Sequence, residues 1–143
     1  MLSHPIPLLQ APNAATLPML GRAACGFPSP AEEYAEPALS LDGLCGVGRP
    51  SLFILIASGD SMRDLGVFDG DYLVVDKAKE PRTGSVVVAR IGADFTVKRY
   101  GFSDGLPVLI PANPAYQTIK IGEYEDAEIW GVVLWNLHRL DDV

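Results

Sequence analysis

Proline is distributed so unevenly along this chain that it divides the sequence into two regions with different folding capacity. Eight of the 12 prolines fall within the first 50 residues. Because proline lacks a backbone N–H and fixes φ, this region is poorly suited to long helices or central strands. We therefore predict an extended N-terminal arm over residues 1–48 and a folded domain over residues 49–143.

The second region consists of short apolar runs separated by turn residues. Turn signals recurring about every 8–12 residues are typical of all-β domains, and the two-residue loop Gly92-Ala93 indicates a hairpin. We predict a mainly β protein, a compact and curved antiparallel domain. The expected strands are LFILIAS (52–58), DYLVVD (71–76), SVVVARI (85–91), DFTVKRY (94–100), LPVLIP (106–111) and EIWGVVLWNL (128–137).

Composition limits the classes of function that are open to this chain. Its 143 residues, 48% of them hydrophobic, are enough to form a core without disulfides or a metal. A net charge of -7 argues against direct binding of DNA or RNA. No run approaches the ~20 apolar residues that span a bilayer, and prolines interrupt the N-terminus, so we expect a cytoplasmic protein without a signal peptide.

Few residues have the spacing that metal, cofactor or triad chemistry requires. The histidines His4 and His138 lie at opposite ends of the chain, and neither neighbours a cluster with metal-ligand spacing. A Ser-His-Asp triad would need His138, and Cys25 as a nucleophile has no base nearby. No phosphate-cradling glycine motif occurs. We expect no metal and no cofactor, and we interpret Asp69-Gly70-Asp71 as a structural turn.

Ser61 stands where a predicted strand ends in a glycine-containing turn, Ser58-Gly59-Asp60-Ser61-Met62. Such a turn presents a hydroxyl at the edge of a sheet and leaves neighbouring backbone N–H groups unpaired. These N–H groups are suited to binding an oxyanion. The alternative is an ordinary turn serine that satisfies local backbone groups.

Lys98 lies inside a predicted strand, on the same face as Thr96. A strand lysine is most often solvated on an open face, and that alternative stays open here. A lysine can take a proton from a serine hydroxyl only when its amine is neutral. Because the ordinary pKa of a lysine is ~10.4, neutrality near pH 7 requires that the amine be desolvated.

Several segments together resemble the LexA/UmuD family of self-cleaving proteins, namely GDSMRDLGVFDGDYLVVDK, GSVVVARIGADFTVKRY, LIPANPAYQTI and EIWGVVL. The segment CGFPSPAEEY is similar to the processing site of UmuD proteins. LexA-type repressors are usually cut at an Ala-Gly bond, whereas UmuD is cut at Cys-Gly, as at Cys25-Gly26 here. The resemblance therefore favours the UmuD branch and implies a β domain similar to those of LexA and signal peptidase.

Carried over by motif, the resemblance assigns a role to each candidate residue. Ser61 would be the nucleophile and Lys98 the general base. The backbone N–H groups of Asp60 and Ser61 would bind the oxyanion, and Cys25-Gly26 would be the scissile bond. The chain would then be a Ser-Lys autoprotease of the serine endopeptidase class.

The family also implies partners. A RecA filament on single-stranded DNA promotes self-cleavage of UmuD-like proteins in the SOS response to DNA damage. The trimmed homodimer then joins a UmuC-type polymerase for error-prone translesion synthesis. The replicative sliding clamp is a further candidate partner, and the acidic charge agrees with contacts through proteins rather than DNA.

Three other readings compete with self-cleavage. A non-cleaving dimeric adaptor predicts an exposed, protonated Lys98 and a replaceable Ser61. A LexA-like or phage-repressor-like protein without its DNA-binding domain predicts a partner that carries that domain, and the Cys-Gly site argues against it. A type I signal peptidase uses similar Ser-Lys chemistry but needs a membrane anchor, for which we find no spanning segment.

Overall fold

The computed structural model describes residues 5–7, 17–19 and 36–141, with no side-chain description at 17–19 and 36–38. The bond Cys25-Gly26 therefore lies outside the described residues. One compact unit contains the first strand and residues 50–141, and a second unit contains the next two strands and a short helix. The elements are β1 (Ile6–Pro7), β2 (Leu17–Met19), β3 (Glu36–Leu39), α1 (Leu41–Cys45), β4 (Leu52–Ile56), β5 (Tyr72–Asp76), β6 (Val86–Ile91), β7 (Asp94–Ser103), β8 (Leu106–Ile110), β9 (Ile119–Lys120) and β10 (Ala127–Leu137).

The first unit is built on an eight-stranded sheet with the order β1-β4-β5-β10-β6-β7-β8-β9. Every neighbouring pair in it is antiparallel. Although β5 and β6 follow each other in sequence, the last strand, β10, lies between them. This strand therefore joins the β4–β5 half of the sheet to the half formed by β6, β7, β8 and β9.

The predicted mainly β, antiparallel fold class is confirmed, with small differences at strand ends. β4 stops at Ile56, two residues before the predicted end, because the chain turns towards Ser61. β7 continues three residues beyond Tyr100 and pairs with β8 to the end of that extension. The loop Gly92-Ala93 closes the β6–β7 hairpin as expected, with Ile91 paired to Asp94.

Two apolar clusters form the core on opposite faces of this sheet. The first contains Leu55, Leu73, Val75, Val88 and Val97 among its buried members. The second contains Val87, Ala89, Leu109 and Val132. A buried Leu or Val side chain contributes about 1.5–3 kcal/mol, so these clusters hold the strands in register.

The second unit pairs β2 with β3 and continues into α1. Ser40 caps α1, since its side chain accepts a hydrogen bond from the N–H of Gly43. The helix ends at Cys45, and the next residue, Gly46, caps it with φ +74°. Burial raises the pKa of the Cys45 thiol, and the carboxylate of Asp42 raises it further. No helix among the described residues is long and apolar enough to cross a membrane.

Candidate active site

The turn that carries Ser61 is shaped by its glycine and by a distant aspartate. Gly59 adopts φ +89°, a left-handed conformation in which a side chain would be strained even though the space around it is open. Its N–H donates to Asp69 Oδ1 at 2.8 Å. Met62, 2% exposed, anchors the far end of the turn in the first apolar cluster. Ser61 itself is half-buried.

Alternation along β7 places Lys98 in an apolar environment. Phe95 and Val97 pack with the first apolar cluster, so Thr96 and Lys98 project from the opposite face. In the β6–β7 register Lys98 lies opposite Val87, a fully buried member of the second cluster. Lys98 is accordingly only 6% exposed, which is not the solvated strand lysine of the alternative interpretation.

Ser61 and Lys98, which are 37 positions apart in sequence, meet at the end of the sheet. Lys98 Nζ and Ser61 Oγ are hydrogen-bonded at 2.7 Å. The amine also donates to Thr96 Oγ1 at 3.0 Å and to the carbonyl of Val97 at 3.0 Å. All three partners are neutral groups. Burial lowers the pKa of the Lys98 amine below its ordinary value.

These three partners can satisfy either protonation state of the amine, and burial favours the neutral one. A neutral lysine has two N–H donors and one lone pair, whereas the charged form has three donors and no acceptor. In the neutral form, Thr96 Oγ1 and the Val97 carbonyl take the two donors. The lone pair is then free to accept the hydroxyl proton of Ser61. The arrangement can therefore activate a serine by general base catalysis.

The dyad opens into a cavity of about 380 Å³, which we call the Lys98 cleft. Its walls come from the Ser61 turn, from the β6–β7 hairpin and from the loop and short turn around β9. The lining residues are Ser58, Gly59, Asp60, Ser61, Ile91, Asp94, Thr96, Lys98, Tyr116, Gln117, Ile119 and Tyr124. A cavity of this size, open to solvent, can accept a short extended peptide segment.

Two residues without a predicted role, Asn113 and Tyr116, hold Asp60 in place. Asn113, 3% exposed, donates from Nδ2 to the carbonyl of Asp60 at 2.9 Å. Tyr116 donates its hydroxyl to Asp60 Oδ1 at 2.6 Å. This bond, and the charge of Asp60, raise the pKa of the Tyr116 phenol. Both residues occur in PANPAY, which is part of a segment that carries the family resemblance. This run has no periodic pattern, so the sequence alone assigns neither residue a role.

The proposed oxyanion donors are the backbone N–H groups of Asp60 and Ser61. Within residues 5–7, 17–19 and 36–141, neither N–H donates a hydrogen bond. The carbonyl of Ser61 accepts from the N–H of Ala112 at 2.8 Å, which ties the turn to the loop after β8. The turn therefore has the unpaired donors that an oxyanion site needs.

His138 belongs to a different part of the first unit. Its Nδ1 lies 2.6 Å from Asp71 Oδ1, and both residues line a separate cavity of about 300 Å³, which we call the Asp71 cavity. Asp71 also accepts from the N–H of Phe68 and from Asn136 Nδ2, as a structural turn residue would. Burial alone would raise the pKa of Asp71, but these hydrogen bonds and His138 hold it below its ordinary value. No group of three or more potential metal ligands occurs in the described part of the chain.

Comparison with protein families gives one clear match. A sequence profile described as Peptidase S24-like matches residues 18–134, which include both Ser61 and Lys98. The matched range covers more than half of the chain and extends from β2 into β10.

Individual relatives are similar over most of the chain. Protein SamA of Salmonella typhimurium is 41% identical over 132 residues, which cover 91% of each protein. Protein ImpA of Salmonella typhimurium is 44% identical over 121 residues, 82% of this chain and 80% of ImpA. The LexA repressor of Herminiimonas arsenicoxydans is 40% identical over 141 residues. The matched segment spans 94% of this chain but only 63% of that repressor.

Proposed function

This chain belongs to the LexA/UmuD family of Peptidase S24-like proteins, which are self-cleaving serine peptidases, and we propose that it cuts itself between Cys25 and Gly26. Ser61 is the nucleophile, Lys98 is the general base, and the N–H groups of Asp60 and Ser61 stabilise the oxyanion. The observation that carries this proposal is the 2.7 Å hydrogen bond between Ser61 Oγ and the buried amine of Lys98.

The first half of the reaction forms an ester. The neutral amine of Lys98 takes the hydroxyl proton while Ser61 Oγ attacks the carbonyl carbon of Cys25. Negative charge then develops on the carbonyl oxygen, where the two N–H groups of the turn stabilise it. The C–N bond to Gly26 breaks, and the Lys98 ammonium returns the proton to the departing amine. The residues up to Cys25 remain bound to Ser61 as an ester.

The second half hydrolyses that ester. Lys98 is neutral again after its proton has left with the Gly26 amine. It removes a proton from a water molecule that attacks the ester carbon. Collapse of this second oxyanion breaks the bond to Ser61 Oγ, which takes back a proton from Lys98. The products are a chain ending at Cys25 and a chain beginning at Gly26.

The environment of Lys98 favours this proposal over a non-cleaving adaptor. The adaptor predicts an exposed, protonated lysine. In the structure the side chain is 6% exposed and contacts no carboxylate among the described residues. An adaptor has no need to desolvate an amine beside a serine hydroxyl.

The direct test is intact mass against time for the full chain between pH 7 and pH 10. We expect loss of residues 1–25 at a rate that increases with pH, since only the neutral amine acts as a base. Because burial lowers the pKa of Lys98, the rate should reach its plateau below pH 10.5, the ordinary lysine value.

Matched variants make this test specific. Ser61→Ala and Lys98→Ala should remain uncut at every pH. Ser103→Ala and Lys79→Ala, which replace an exposed serine and an exposed lysine, should cleave at the wild-type rate. Cleavage that persists in Ser61→Ala, or cuts at another bond, would refute the assignment.

The proposal extends to the division of the chain and to its partners. Residues 1–48 are the regulatory arm that contains the cleavage site, and residues 49–143 are the protease and dimerisation domain. The trimmed homodimer acts in the bacterial cytoplasm as the accessory subunit of a UmuC-type translesion polymerase in the SOS response. Similarity to SamA and ImpA over at least four fifths of each protein supports placing the chain in the UmuD-like branch of the family.

The partner proposal has its own experiment. Adding RecA, single-stranded DNA and a nucleotide should accelerate cleavage near pH 7, where the amine is least often neutral. Mixing the Ser61→Ala chain, which we expect cannot cut itself, with the wild-type chain tests whether one copy cuts another, because the two chains and their products from residue 26 onward differ in mass. A wild-type chain that stays intact at high pH and with the filament would favour the non-cleaving adaptor.

A further inference from the structure

Asn113 is a buried amide with both ends engaged. It lies in the loop between β8 and β9 and is 3% exposed. Its Nδ2 donates to the carbonyl of Asp60 at 2.9 Å, and its Oδ1 accepts from the N–H of Ala115 at 3.0 Å. The second bond fixes the side chain within its own loop, so that the first can act on the turn 53 positions earlier.

The carbonyl of Asp60 and the N–H of Ser61 are two ends of the same peptide unit. That unit is planar, and in its trans form the C=O and the N–H point in opposite directions. A group that fixes the direction of the carbonyl therefore fixes the direction of the N–H as well. Asn113 holds the Asp60 carbonyl, and this determines where the Ser61 N–H points.

The N–H of Ser61 is directed away from Asn113. Asp60 and Ser61 line the Lys98 cleft, whereas Asn113 does not. In the described part of the chain this N–H donates to no group. Asn113 thus lies behind the turn, with the cleft and an unpaired donor in front of it.

We propose that Asn113 is a positioning residue that aims the Ser61 N–H at the developing oxyanion. The inference rests on the proposed function, because it assigns the geometry of one of the two oxyanion donors. Asn113 contacts neither Lys98 nor the Ser61 hydroxyl in the described hydrogen bonds. It therefore acts on stabilisation of the intermediate and not on activation of the nucleophile.

Other contacts of Asp60 do not replace this one. The N–H of Arg63 approaches the same carbonyl at 3.3 Å, a longer bond formed within the turn itself. Tyr116 holds the Asp60 carboxylate, which rotates about side-chain bonds and leaves the peptide plane free. The amide of Asn113 is the contact that ties this plane to a separate loop.

Two reactions at position 61 distinguish an effect of Asn113 on the oxyanion from an effect on the nucleophile. Self-cleavage passes through an oxyanion, whereas alkylation of a thiol by iodoacetamide does not. Self-cleavage is measured in the full chain, and alkylation is measured in the Ser61→Cys background by peptide mass spectrometry at position 61. We expect Asn113→Ala to lower the cleavage rate by roughly 100-fold, the loss typical of one oxyanion donor. The alkylation rate of this variant should change by less than about threefold. The pH midpoint of its cleavage should equal that of wild type, because the Lys98 amine determines this midpoint.

A second variant covers the case in which Asn113→Ala does not fold. Asn113→Asp keeps the volume and the acceptor for Ala115 but removes the donor to Asp60, and it should show the same separation. Asn136→Ala is the matched control, since it removes another amide of the first unit whose bonds lie at Gly66 and Asp71. It should cleave within about threefold of wild type.

Each outcome decides the inference. A cleavage rate that falls while alkylation persists supports it. An unchanged cleavage rate, a parallel fall in both reactions, or unfolding of both Asn113 variants would overturn it, because Asn113 would then be dispensable or merely structural. A wild-type chain that never cleaves, even with the filament, would instead refute the proposed function.

Discussion

The Lys98 cleft and the Asp71 cavity each contain a buried ionisable side chain, yet their surroundings differ in one respect. Among the residues that the structure describes, Lys98 forms hydrogen bonds only with the hydroxyls of Ser61 and Thr96 and with the carbonyl of Val97. Asp71 meets a backbone N–H, an amide and the ring of His138. In the Lys98 cleft, burial lowers the pKa of the Lys98 amine. In the Asp71 cavity, hydrogen-bond donors hold the pKa of the Asp71 carboxyl below its ordinary value.

Because of this difference, we expect Lys98 to act in catalysis and Asp71 to stabilise the fold. A buried amine without a countercharge tends to lose its proton and becomes a base. A buried carboxylate surrounded by donors keeps its charge and ties its donors together. The two places therefore respond in different ways to pH. Increasing pH through the depressed pKa of Lys98 favours the folded state up to pH 10.5, whereas acid below pH 3.8 removes the contribution of Asp71.

Lys98→Met should give the largest effect, because it removes the base and keeps an apolar side chain of similar length. We expect the cleavage rate to fall roughly 10³-fold. The free energy of unfolding at pH 7 should equal or exceed that of wild type, and this advantage should shrink towards pH 10.5. Cleavage is followed by intact mass and stability by urea unfolding. If Lys98→Met were less stable than wild type at pH 7, the buried amine would contribute to stability and the expected difference between Lys98 and Asp71 would be wrong.

Asp71→Asn should mainly affect stability. It removes a charge that accepts from three donors, and we expect a loss of about 2 kcal/mol in the free energy of unfolding at pH 7. The gap to wild type should begin to close below pH 3.8, where the unfolded chain takes up the proton, and should close further as the pH falls through the lower pKa of folded Asp71. Urea unfolding between pH 3 and pH 7 checks this, with Asp104→Asn as the exposed control. A gap that stays constant over this range would show that the charge is not involved.

Thr96→Val should give the smallest effect, and it tests whether the Thr96 hydroxyl stabilises the charged form of Lys98. Thr96 Oγ1 accepts from the amine, and losing this acceptor disfavours the charged form more than the neutral one. The midpoint of the pH–cleavage profile should move down by roughly half a unit, which is about a threefold rate increase below the midpoint. Thr83→Val, in an exposed turn, serves as the control. A midpoint that moves upward would mean that Thr96 does not act on the ammonium.

Local pattern was enough to predict most of the sheet. The runs at β4, β5, β6, β7, β8 and β10 alternate or are continuously apolar, and tertiary pairing follows that pattern. β1 and β9 have two residues each, too few to show a period, and their pairing depends on neighbours distant in sequence. The order of the strands, with β10 between β5 and β6, is likewise a property of the whole chain.

The candidate site was predictable only in part. Ser61 has a turn signal and Lys98 shares a face with Thr96, so both could be named from sequence. Asn113 and Tyr116 act on a residue more than 50 positions away, through a loop without periodicity. No local pattern encodes such a contact. The meeting of Ser61 and Lys98 likewise became specific only through the resemblance.

The place of β10 in the sheet has a consequence during synthesis. The strands beside Ser61 and the strand that carries Lys98 belong to halves that the sheet joins only through residues 127–137. A ribosome must therefore release almost the whole chain before this framework closes around the serine and the lysine. For the self-cleavage that we propose, this order of assembly would delay formation of the active site until translation is nearly complete.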